Sequence, residues 1–166
     1  MRNYYLYFSC LIILGFLTAC FEKESYPDEP AVEFSDFVIM GDSARLIFDF
    51  TDGDGDIGLE KDNVAPPYDS SSYYHFNIYV EYYEKHPVNG WQRGYNPLGD
   101  SIVFTFRIDP ITNRNKSKAL RGSIEVNMED WYNPTSPYSD TIMYRFQLID
   151  RALNESNWGE TPAIIR

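Results

Sequence analysis

Three carboxylates at every second position, with glycines between them, are the residues of this 166-residue chain best suited to binding chemistry. The stretch Thr51-Asp52-Gly53-Asp54-Gly55-Asp56-Ile57-Gly58 lets a tight loop turn several oxygens toward one point. Hard cations such as calcium take about six to eight oxygens at roughly 2.3–2.6 Å, and Asp-x-Asp-x-Asp is a spacing that supplies them. Three carboxylates gathered without a cation repel one another. The same residues also suit a plain glycine-rich turn whose aspartates cap backbone N–H groups and stay hydrated.

The loop only partly resembles an EF-hand. In that register Ile57 takes the place of the glycine at the sixth position, Asn63 stands where a bidentate glutamate belongs, and no helical period flanks the segment. A metal held here needs ligands from elsewhere; Glu60 and Asp62 are close in sequence.

Other chemistries find less material. His75 and His86 are the two histidines, without cysteines beside them to complete a zinc site or a nucleophile pair. There is no Gly-x-Ser-x-Gly elbow and no phosphate-cradling glycine loop. Glu129-Asp130 is an acidic pair of the kind glycoside hydrolysis uses, but that chemistry depends on a separation in space. The net charge of −11 repels phosphate backbones and argues against nucleic acid as a partner. Arg107, Arg114, Lys116, Lys118 and Arg121 form one basic cluster around an expected hairpin tip. Tyr73, Tyr79, Tyr83, Trp91 and Tyr95 offer a candidate aromatic platform for a sugar ring or a partner protein. Cross-strand stacking explains the same tyrosines without a ligand.

The elements that must carry these residues read as strands. Ala44, Leu46, Phe48 and Phe50 alternate with polar neighbours, as half-buried strands do. The period of two recurs at Tyr74–Tyr82, Ile102–Ile108, Leu120–Met128 and Ile142–Leu148. Residues 31–40 and 161–165 supply a first and a last strand, giving about seven, and Trp91 to Tyr95 adds a short one after the turn at Asn89-Gly90. Aromatics at 17% and hydrophobics at 43% are too abundant for a disordered chain, so an antiparallel all-β domain is expected over residues 31–166.

The N-terminus places the chain. Arg2, the apolar run 10–17 and Leu17-Thr18-Ala19-Cys20 resemble the signal peptide and lipobox of bacterial lipoproteins. The apolar run is too short to span a bilayer. The resemblance implies cleavage of residues 1–19 and acylation of Cys20, which two or more chains would hold stably on a membrane. That leaves 147 residues with a charge of −12, because Arg2 is the one charged side chain removed, and no thiol pair for a disulfide. Phe21 after the cysteine, in place of an inner-membrane retention aspartate, favours the outer membrane. Phe21-Glu22-Lys23-Glu24 fits either a surface-export tag or a plain solvated tether. Residues 20–30 are therefore expected to be the lipidated cysteine and a proline-punctuated linker, on the periplasmic face or at the cell surface.

The number and order of strands resemble an immunoglobulin or fibronectin-type sandwich, with a jelly roll or small barrel as the alternative. Asp150-Arg151-Ala152-Leu153-Asn154 resembles the Asp-x-Ala-x-Asn turn before the last strand of bacterial immunoglobulin-like domains. Phe-Thr-Asp-Gly-Asp-Gly-Asp-Ile-Gly, residues 50–58, is similar to a phrase in bacterial lipoproteins. The resemblance implies that Asp150 and Asn154 face Asp52, Asp54 and Asp56 at one end of the sandwich as a calcium site. The expected function is that of a non-catalytic, membrane-anchored envelope lipoprotein presenting a surface to an envelope protein or glycan. The alternative is a carbohydrate-binding module or glycan hydrolase.

Overall fold

The computed structural model describes residues 25–111 and 118–166. The lipobox, Cys20, residues 21–24 and the basic residues Arg114 and Lys116 lie outside the described residues.

The described chain is an antiparallel β-sandwich. Its strands are β1 (Ala31–Met40), β2 (Ser43–Asp52), β3 (Ile78–His86), β4 (Gly90–Arg93), β5 (Val103–Phe106), β6 (Leu120–Glu129), β7 (Thr141–Leu148), β8 (Gly159–Glu160) and β9 (Ile164–Ile165). One sheet runs β1-β2-β6 and the other β4-β3-β7-β8, with β5 also on β3 and β9 also on β7. The first and second strands thus share one sheet and the third lies in the other. The described strands number nine where about seven are read from sequence, because the expected strand around Trp91 forms and the chain end splits into β8 and β9.

The alternating faces meet in one core. Leu46 and Phe48 of β2, Ile78, Val80 and Tyr82 of β3, and Ile142, Tyr144, Phe146 and Leu148 of β7 are wholly buried. Phe48 and Phe146 stack across the two sheets with centroids 4.9 Å apart, joining β2 to β7. In β1 the register shifts between Phe34 and Asp36. This bulge reverses the parity of the strand, so that Val32, Phe34 and Phe37 all reach the core.

Tyr73–His75 is a 3-10 turn, where the sequence alternation extends the strand back to Tyr74. Ser72 decides the difference: its Oγ accepts the Tyr74 N–H at 3.1 Å and holds the chain in a turn. β3 consequently begins at Ile78.

Gly159 of β8 lies against the ring of Phe146, and a Cβ there would overlap Cε2 and Cζ and stand 3.1 Å from Cδ2. Phe146 is enclosed and has no room to yield. Gly159→Ala is expected to cost about 1–3 kcal/mol, the range for overpacking a core. Urea unfolding would show it as a lower midpoint with an unchanged slope.

Candidate cation site

β2 and β7 lie in opposite sheets and end at the same end of the sandwich. Asp52 is the last residue of β2, opposite Leu120 of β6, and it is wholly buried. Its Oδ2 accepts the Asp56 N–H at 3.0 Å, which curls the loop back over the strand end. Asp150 follows β7 after Ile149 and is 2% exposed. The Asp56 carbonyl accepts the Arg151 N–H at 3.3 Å, and the Gly58 carbonyl accepts the Arg151 Nε and Nη2, both at 3.2 Å. The hydroxyl of Tyr68 donates to the Arg151 carbonyl from the other side. Two loops far apart in sequence are thus stitched together backbone to backbone.

Carboxylate oxygens of Asp52, Asp56 and Asp150 lie within 4.8 Å of one another. Asp52 Oδ1, Asp54 Oδ1 and Asp56 Oδ1 are buried and have no hydrogen-bond partner. Buried polar atoms are nearly always paired, and a buried carboxylate oxygen without a donor carries a cost of several kcal/mol unless something positive meets it. The nearby Arg151 guanidinium is turned onto the Gly58 carbonyl, although its charge still favours the ionised form of Asp56.

The electrostatics record the same crowding. Burial, then the charge of Asp54, pushes Asp52 up to about 6. Burial pushes Asp150 up to about 6 as well, against the Asn154 hydrogen bonds and with help from the charges of Asp56 and Asp54. Asp56 is raised by burial and then by Asp54. Charges held close in a desolvated place resist ionisation, and a divalent cation reverses that preference.

Asn154 enters this site as the group that orients Asp150. Its backbone N–H donates to Asp150 Oδ1 at 2.7 Å and its Nδ2 to Oδ2 at 2.8 Å. Each carboxylate oxygen keeps a second lone pair for a ligand. Asp54 stands within charge range of Asp52, Asp56 and Asp150 but outside the close triad. Glu60 and Asp62 are exposed on the following turn, away from the triad. Sequence reasoning missed Arg151 and Tyr68; the one signal for Arg151 was a cation immediately after Asp150 in the same turn.

The aromatic candidates are engaged in separate local contacts. Tyr73 and Tyr79 stack at 4.5 Å, and the Tyr79 hydroxyl donates to the Tyr73 carbonyl. Tyr83 lies between Arg93 and Arg145 and donates its hydroxyl to Glu81 at 2.9 Å. Trp91 sits under the Lys85 ammonium at 5.7 Å. Tyr95 lines a cleft of about 320 Å³ with Glu84, His86 and Tyr138. Strand pairing and cation–π contacts thus account for Tyr83 and Trp91. Asn77 is buried, and its Oδ1 accepts the Ile108 N–H at 2.9 Å. Arg107 is no part of an exposed tip: it donates to the carbonyls of His75, Glu60 and Asn63 at 2.6, 3.0 and 2.8 Å.

A scan against protein-family models and a search of the curated proteins give no match to this chain.

Proposed function

We propose that this protein is a non-catalytic β-sandwich whose end is fastened by a bound calcium ion, anchored at the bacterial envelope through acylated Cys20. The observation that carries the calcium reading is the convergence of Asp52, Asp56 and Asp150 with buried, unpartnered oxygens on Asp52, Asp54 and Asp56. An all-oxygen, all-carboxylate donor set suits a hard cation, and its loop build suits calcium better than the small, rigid octahedron of magnesium. Among the described residues no histidine or cysteine joins the cluster, which disfavours zinc. The ion ties the end of β2 to the end of β7 across the core and leaves the sheet faces for an envelope protein or glycan.

The anchor rests on the sequence of residues 1–20, and among the described residues no helix is long and apolar enough to cross a membrane. Equilibrium binding to the purified, lipidated protein tests the cation. One calcium per chain is expected with a Kd of about 10⁻⁴ to 10⁻³ M, the range of extracellular sites, and Asp52→Asn is expected to weaken it at least tenfold. Cys20→Ser is expected to move the protein from the membrane to the soluble fraction. Wild-type protein that binds no calcium at 10⁻² M, or a serine variant that still fractionates with membranes, would overturn the respective half of the proposal.

A further inference from the structure

The segment that leads from the anchor to the sandwich passes directly over the acidic loop. A Cβ built on Gly53, between Asp52 and Asp54, would overlap the Tyr26 carbonyl oxygen and stand 2.5 Å from that of Pro27. Gly53 does not hold a left-handed backbone angle, so conformation alone does not demand glycine there. The close approach of the Tyr26-Pro27 backbone does.

A second contact fixes the same stretch of chain a few residues on. Asn157 accepts the Val32 N–H on Oδ1 at 2.9 Å and donates from Nδ2 to the Val32 carbonyl at 2.9 Å. Asn157 lies just beyond the Asp150–Asn154 turn. The entering chain is therefore held by the two segments that carry the carboxylates, against Gly53 on one side and by Asn157 on the other.

From this arrangement we infer that cation binding at the aspartate cluster docks the membrane-proximal segment 25–30 onto the domain, and that loss of the cation releases it. The inference rests on the calcium reading above. An ion bound to Asp52 and Asp56 closes the loop between them, Gly53 included, and so builds the seat for Tyr26-Pro27. Without the ion, carboxylate repulsion spreads the loop and removes the seat. Release of six residues lets the domain stand about 20 Å farther from its anchor, at about 3.3–3.6 Å per extended residue. The cation concentration outside the cytoplasm would then set how far the sandwich reaches from the membrane.

The test uses lipidated protein with nitroxides at Ser25→Cys on the tether and Val88→Cys on the sandwich. Val88 is 92% exposed, and acylation leaves no other free thiol. Pulsed electron–electron distance measurement is expected to give a narrow distribution in calcium and one at least twice as wide after the metal is stripped. Gly53→Ala in this background, at a calcium concentration shown by titration to saturate it, is expected to stay wide in both conditions and, because docking and binding are reciprocal, to bind calcium more weakly than its parent. If the labelled parent binds calcium but its distribution does not change, the docking inference fails and the cation site stands. If the distribution of Gly53→Ala narrows in calcium, Gly53 is not the seat and the inference fails. If the parent binds no calcium, the cation reading itself fails, and a calcium titration run beside the distance measurement separates this outcome from the others.

Discussion

Calcium at 10⁻² M is expected to raise the thermal unfolding midpoint of the wild-type protein at pH 7 by about 3–10 °C. A ligand that binds only the folded state stabilises it by RT ln(1 + [L]/Kd), about 1.4 kcal/mol at a tenfold and about 2.7 kcal/mol at a hundredfold excess over Kd. A domain of this size converts each kcal/mol into roughly 2–4 °C. Magnesium is expected to give a smaller shift, since it gives up its water shell reluctantly. In Asp52→Asn the calcium shift should fall to about half or less. The metal-free variant should melt no lower than metal-free wild type, because a neutral amide removes repulsion that Arg151 offsets only at Asp56. Scanning calorimetry of both proteins, stripped and calcium-loaded, checks all of these shifts. Equal calcium shifts in both proteins would show that the ion acts elsewhere.

The second large effect is a reversal of pH dependence by the metal. Asp52 and Asp150 are each pushed to about 6 in the folded protein, primarily by burial, from an ordinary value of 3.8. Between about pH 4 and pH 6 the folded, metal-free chain keeps protons that the unfolded chain has released. Its stability therefore falls as pH rises through this window, and the penalty is fully present above pH 6. The loss is about 2–3 kcal/mol for the cluster taken as one coupled group. With calcium bound the carboxylates must be ionised, so stabilisation by the ion grows over the same interval. Urea unfolding at pH 4.5, 6 and 7.5 is expected to show opposite slopes for stripped and loaded wild type. A much flatter stripped profile is expected for Asp52→Asn. That variant serves as the reference for the other carboxylates of this acidic chain. Parallel slopes with and without calcium would contradict the account.

Much of the sandwich was legible because its strands are half buried, and a half-buried strand writes its burial as a period of two. β2, β3 and β6 follow that rule almost residue by residue, whereas β7 buries Met143 and Gln147 as well as its core face. Failures came where a local hydrogen bond or an irregular register took precedence. The bulge in β1 is invisible in the residue types around Ser35 but decides that Phe34 and Phe37 share a face. The alternation of Tyr74, Phe76 and Ile78 reads as one strand, yet the Ser72 side chain turns the first part of it. Both cases depend on backbone geometry that apolar spacing does not encode.

At the candidate site the aspartate spacing was plain, and resemblance led to Asp150. Sequence could not show that Asp52 ends its strand in full burial, or that Asn154 spends its N–H groups on Asp150. Nor could it show that Arg151 is turned onto the Gly58 carbonyl while oxygens on three neighbouring aspartates stay without donors. These facts come from the meeting of loops about a hundred residues apart, which the β2–β7 packing brings about. Sequence likewise could not show the cations that lie against Tyr83 and Trp91, which come from the same and neighbouring strands.

The most direct test of the central claim is a crystal structure of the protein grown in calcium, with anomalous data collected to identify the ion. The account predicts a single calcium peak between Asp52, Asp56 and Asp150 at about 2.3–2.6 Å from their oxygens. A well-ordered cluster holding water alone, or a calcium ion bound elsewhere with these carboxylates still apart from it, would contradict the account.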